Sequence, residues 1–217
     1  MKFKFRNQFR SASLLLSRAV LGMLLLCCSA HAASTFHISV NTTPLIGNSS
    51  GPFSIDFQLN NGTAAGLGNN TATISNFNYF GGSAVGSASL FGGAQGDLAS
   101  GVLLNNSSAF QEFFQEFTLG TRLAFDVSLT SNVDGVTPDA FVFTLLDSNL
   151  FNITTTGLGD SLVLVNLDSS LLTVQSFNGT GAYGAVTTSV PEPPPYVSLL
   201  IGLPLLVLAA RKMREAA

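Results

Sequence analysis

Seven short runs between residues 33 and 189 set the terms for any fold of this chain: "TFHISVN", "PFSIDFQL", "TATISNFNYF", "RLAFDVSLT", "DAFVFTLL", "DSLVLVNL" and "LLTVQSF". They are mostly alternating and rich in Phe, Val, Ile and Thr, and Gly, Asn, Asp, Ser and Pro separate them, which is the signature of β-strands joined by turns. In "RLAFDVSLT", Leu123, Phe125, Val127 and Leu129 take one face while Ala124, Asp126, Ser128 and Thr130 take the other. That pattern suits an antiparallel sheet packed on one side and wet on the other. Two such sheets make a sandwich, so the expectation is an all-β, antiparallel β-sandwich. Pro52 and Pro138 fall at strand starts, where a missing backbone donor does least harm. Residues 33–189 amount to one domain's worth of chain.

Two stretches resist this pattern. "FQEFFQEF" spaces Phe110, Phe113, Phe114 and Phe117 as a helix would, with Ser108 and Gln111 placed for a capping box. The β surroundings argue for a strand instead, running through Gly120 into "RLAFDVSLT" like a hairpin. "FGGSAVGSASLFGGAQGDLASG" is Gly- and Ser-rich, which predicts a surface loop with at most one edge strand.

The inventory of reactive side chains is thin. Residues 33–189 carry ten acids against a single Arg122 and no lysine, a net charge of −9, so nucleic acid is excluded as a partner. Both cysteines, Cys27 and Cys28, precede the domain. "GNSSG" (residues 47–51) matches G-x-S-x-G, but Pro52 and a strand follow where a nucleophile elbow needs a helix, and His37 lies upstream. "GTGAYG" (179–184) has the dinucleotide glycine spacing with no helix after it, and reads as a turn. "GGAQGD" (92–97) approaches a calcium repeat once, without tandem copies. Asp134 and Asp139, in "NVDGVTPD", offer oxygen ligands that suit Ca²⁺ and are the one metal candidate, although Asp-Gly turns usually serve as turns alone. No cofactor and no catalytic residue is expected. Ten acids leave a glycosidase-like carboxylate pair open by counting. Against it, the chain has no Trp and only Tyr79 and Tyr183 as domain tyrosines to stack on sugars, and most of the fifteen domain phenylalanines are expected in the core.

The two ends carry addresses. Lys2, Lys4, Arg6, Arg10 and Arg18 precede an apolar run over residues 19–28, and Ala30-His31-Ala32 supplies the small-x-small pattern that signal peptidase cleaves. Residues 1–32 therefore read as a secretory signal peptide. At the other end, Pro191, Pro193, Pro194 and Pro195 make an extended linker. An uncharged stretch over 196–210 follows, covering roughly 22 Å as a helix against a bilayer core of about 30 Å. Arg211, Lys212 and Arg214 then form a basic tip that keeps this end inside.

Val190-Pro191-Glu192-Pro193, the short hydrophobic helix with Gly202, and the basic cluster Arg211, Lys212 and Arg214 resemble the PEP-CTERM sorting signal of Gram-negative bacteria. The likeness covers residues 190–217; Met213 within the basic cluster and Pro204 within the short span depart from it. The resemblance implies export, a transient inner-membrane anchor, and processing by an exosortase in a setting tied to exopolysaccharide. It implies no established activity for the ectodomain. Two functions follow as expectations: a non-catalytic surface or matrix protein acting by display, adhesion or assembly, with a link to exopolysaccharide or biofilm, and, as the alternative, a secreted glycosidase-like hydrolase with an unrecognised carboxylate site.

Overall fold

The computed structural model describes residues 33–62, 70–132, 137–167 and 172–190. The chain divides into the units Met1–Ala33 and Ser34–Ala217, and the fold is that of the second. Its described residues form strands and short 3-10 turns arranged in two antiparallel sheets. The expected signal peptide and C-terminal helix lie outside the described residues, among which no helix is long and apolar enough to cross a membrane.

Six strands make the first sheet: β1 (Ser34–Asn41), β3 (Thr71–Asn78), β6 (Gln95–Asp97), β7 (Gly101–Asn105), β9 (Arg122–Leu129) and β13 (Thr187–Ser189), in the order β13-β1-β9-β3-β7-β6. The second is made of β2 (Phe53–Asn60), β4 (Ser83–Ala84), β5 (Ser89–Phe91), β8 (Phe110–Thr118), β10 (Asp139–Leu146), β11 (Val163–Leu167) and β12 (Val174–Ser176), in the order β12-β11-β10-β2-β8-β4, with β5 also paired to β8. The outermost strands of both sheets are only two or three residues long, which blunts the edges against pairing with other chains.

The alternation read from the sequence becomes a sandwich-like arrangement because each sheet has one apolar face to bury. Leu123, Phe125, Val127 and Leu129 are buried from the first sheet, and Phe53, Ile55, Phe57 and Leu59 from the second. The Phe57 ring sits at the centre, 5.0 Å from Phe125 across the sheets and 5.1 Å from Phe143 beside it. Each such ring buried contributes about 1.5–3 kcal/mol, and each edge-on or tilted ring pair adds roughly 0.5–1.5 kcal/mol. Phe53, Phe113, Phe117, Phe141 and Phe143 complete the buried phenylalanines, with Phe36 and Phe77 packed against them. Phe80, Phe91 and Phe151 stand at the surface.

Three features differ from the sequence reading or sharpen it. "FQEFFQEF" is strand β8, and Ser108 and Gln111 still bond each other, though at the mouth of a strand. The β8–β9 connection is no hairpin: β8 belongs to the second sheet and β9 to the first. An arch lets Phe113 and Phe117 enter the interior from one side while Phe125 and Val127 enter from the other. Gly120 makes that crossing possible, since a Cβ there would stand 1.9 Å from the Tyr79 carbonyl oxygen. The Gly-rich stretch forms three short strands, β4, β5 and β6, where at most one was expected. Glycine supplies reversals that other residues resist: Gly92 has φ +64, and a Cβ there would meet the Phe110 carbonyl at 2.4 Å.

The register fixes the two ends of the sandwich. β1 begins where β9 ends, and β13 runs antiparallel to β1 with Ser189 beside Ser39. Asn70, Asn106 and Asp139 lie at the end where β1 begins.

Candidate carboxylate site

The outer face of the second sheet carries the most unusual titratable group described. Along β2, Phe53, Ile55, Phe57 and Leu59 point into the core, so Ser54, Asp56, Gln58 and Asn60 must point away from it. β8 pairs in register with β2, placing Phe114 directly opposite Asp56 and Glu112 opposite Gln58, with Glu116 opposite Ser54. Thr144 of β10 flanks Asp56 on the other side. Glu112 and Glu116 are thus the diagonal neighbours of Asp56, a spacing of roughly 7–8 Å in an antiparallel sheet.

Although it lies on an outer face, Asp56 is only 1 % exposed. Residues 147–162 run beside this end of the sheet: Thr144 Oγ1 donates to the Asp160 carbonyl at 3.1 Å, and the Ile153 amide donates to the Leu145 carbonyl. Asp56 Oδ2 accepts a hydrogen bond from Gln58 Nε2 at 2.6 Å, while Oδ1 has no partner among the described residues. Burial pushes the carboxyl up to about 7; the Gln58 bond opposes that rise and the Glu112 charge adds to it. Burial also raises Glu112 above the ordinary glutamate range. Asp56 therefore holds a proton close to neutral pH while standing near a second carboxylate, the environment that separates an acid from a base in paired-carboxylate chemistry. Beside the pair, Phe91 is 60 % exposed and its ring lies 5.8 Å from that of Phe110.

The residues singled out from sequence fall elsewhere. Asp139, at the start of β10, is buried and accepts hydrogen bonds from the Gly62 amide at 3.0 Å, from Asn70 Nδ2 at 2.7 Å and from Asn106 Nδ2. Asn106 Oδ1 in turn accepts from the Asn70 amide at 2.9 Å, and Asn70 Oδ1 from the Asn132 amide at 2.7 Å. Asn70 and Asn106 flank strands of the first sheet while Gly62 and Asp139 belong to the second, so this carboxylate clasps the two sheets together. Asp134, the other calcium candidate, lies outside the described residues, and among those described no group of three or more His, Cys, Asp or Glu is placed to hold a metal ion.

Ser49 is exposed in the loop before β2, and His37 Nδ1 bonds Asp126 Oδ1 at 2.8 Å on the outer face of the first sheet. Donation from Asn76, then from His37, holds the Asp126 carboxyl below the usual range. "GTGAYG" contains the 3-10 turn Gly181–Tyr183, and "GGAQGD" leads into β6. Val190 packs against the core. Ala30, Ala32, Pro191, Glu192, Pro193, Arg211, Lys212 and Arg214 lie outside the described residues.

Comparison of the chain with protein-family models, with curated proteins and with solved structures finds no match.

Proposed function

We propose that the chain is an exported β-sandwich ectodomain bearing an N-terminal signal peptide and a C-terminal PEP-CTERM sorting helix. It is held briefly in the inner membrane by that helix, is processed by an exosortase, and then acts without catalysis at the cell surface or in the extracellular matrix. What supports this reading is that β13 pairs with β1, so that residues 34–189 complete a two-sheet domain of their own between the two terminal sequence signals. Ile46, Leu150 and Phe151 stand exposed on that domain as apolar side chains open to contact. Display, adhesion or matrix assembly uses such a surface and needs no reactive site. The charge of −9 on residues 33–189 keeps such a domain soluble and turns it away from polyanions. Deleting the gene is expected to change flocculation, surface texture or biofilm cohesion; unchanged cohesion in strains that make exopolysaccharide would count against the reading.

The second reading, a glycosidase-like hydrolase, is favoured by one observation, the proton-holding Asp56 diagonal to Glu112. It requires turnover on a glycoside panel that is lost in both Asp56→Asn and Glu112→Gln. The proposal of a non-catalytic domain expects no turnover in any of the three proteins.

A further inference from the structure

Between the open edges of the two sheets lies a cleft of about 530 Å³ that the carboxylate face does not share. Its wall is largely apolar, with Phe77, Leu90 and Leu98 contributing the larger surfaces and Tyr79, Gln115 and Asp97 the principal polar groups. The volume falls within the range typical of small-molecule sites, about 300–1,000 Å³. The polar groups are unequally spent. Gln115 Nε2 donates to the Val85 carbonyl at 2.6 Å and to the Glu116 carbonyl at 3.0 Å, which leaves Oε1 as an acceptor. Asp97 Oδ1 accepts from the Ser100 and Ala99 amides, which hold its carboxyl below the usual range. Tyr79 is the exception: its hydroxyl is buried and has no hydrogen-bond partner among the described residues.

A buried hydroxyl without a partner costs about 1–3 kcal/mol, so a fold rarely keeps one that nothing satisfies. Burial also pushes the Tyr79 phenol up to about 12, so across the physiological range it is a donor in need of an acceptor. The ring is held in place by Phe77, 4.8 Å away, and by Phe117 at 6.1 Å. The segment that lines the cleft beside it is lightly held. β4, β5 and β6, in that segment, are all exposed and join the sheets by ladders of two or three residues. Short, exposed ladders of this kind open at low cost, which gives a ligand a way to the hydroxyl.

We infer that this cleft binds a small uncharged molecule, mostly apolar, with one hydroxyl or carbonyl that accepts the hydrogen bond of Tyr79. No Lys, Arg or His lines it, so a carboxylate or phosphate would enter without a counter-charge and beside Asp97. A ligand hydroxyl could in addition donate to Gln115 Oε1. This inference is independent of export and of the carboxylate face.

The test uses three probes of one size, 4-methylbenzyl alcohol, 4-methylbenzoate and p-xylene, titrated calorimetrically into the full chain and into Tyr79→Phe and Ala84→Trp. Ala84 lines the cleft and is exposed, so Trp there fills the space without entering the core; Ser87→Trp serves the same purpose should Ala84→Trp fail to fold. The alcohol is expected to bind the wild type, to bind the filled variants not at all, and to lose roughly 3–10-fold in affinity in Tyr79→Phe, the loss of one neutral hydrogen bond. Affinity for p-xylene should be the same in Tyr79→Phe as in wild type, and the ligand-free Tm of that variant should hold or rise. Equal binding of the alcohol by wild type and a filled variant would overturn the inference, as would equal affinity for alcohol and benzoate, or an unchanged alcohol affinity in Tyr79→Phe.

Discussion

Replacing Asp56 with Asn should make the domain more stable at alkaline pH and leave it nearly unchanged in acid. In the folded chain the Asp56 carboxyl titrates at about 7, against 3.8 for an ordinary aspartate, and burial is the main cause. Below pH 4 both folded and unfolded states hold the proton, and the residue contributes no pH dependence. Between about 4 and about 7 the unfolded state ionises while the folded state does not, so stability falls as pH rises, by about 1.4 kcal/mol per unit. Above about 7 the loss levels off at about 4 kcal/mol. Asn has the same shape as the protonated acid and no charge to desolvate. The difference in stability between Asp56→Asn and wild type should therefore grow from near zero at pH 4 to about 4 kcal/mol at pH 8, or roughly 8–16 °C in Tm for a domain of this size. Paired thermal or urea unfolding at pH 4, 6 and 8 measures it, and taking the difference cancels the other carboxylates. A difference that stays flat across that range, or shrinks as pH rises, would refute the claim that Asp56 is buried as a neutral acid.

Other outcomes follow from the core and the clasp. Phe57→Ala, at the centre of the ring cluster, should cost about 3–5 kcal/mol in urea unfolding. Asp139→Ala leaves the Gly62 amide and the Asn70 and Asn106 side chains without their buried acceptor, and should cost at least about 3 kcal/mol by the same measurement. If Asp139 acts as a clasp alone, 1 mM calcium should raise the wild-type Tm by no more than about 1–2 °C, the most that a dissociation constant near 1 mM allows.

The strands were legible because burial on one face of a sheet writes itself into every second residue. All seven runs carry strands, and "RLAFDVSLT" splits into faces as its alternation requires. Partnership between strands was less legible, since it depends on how two apolar faces meet rather than on either one. The Phe-rich run before Gly120 and the run after it looked like one hairpin, yet they line opposite walls of the core. The same limit hid the carboxylate site. The alternation in "PFSIDFQL" and in "FQEFFQEF" does assign Asp56, Glu112 and Glu116 to faces, but only the β2–β8 register makes them neighbours. Burial of Asp56 depends further on the connection after β10, whose residues show no periodicity. In the Gly-rich stretch, composition spoke of freedom, whereas close approaches such as that of Gly92 to Phe110 use glycine to fit strands against β8.

Intact-mass measurement of the protein from paired strains, with and without the exosortase, tests the proposed export and sorting most directly. A species beginning within a residue or two of Ala33 is expected in both strains, with loss of the segment beyond Pro191-Glu192-Pro193 only where the exosortase is present. Retention of Met1 on exported protein, or equal C-terminal processing in the two strains, would contradict that proposal.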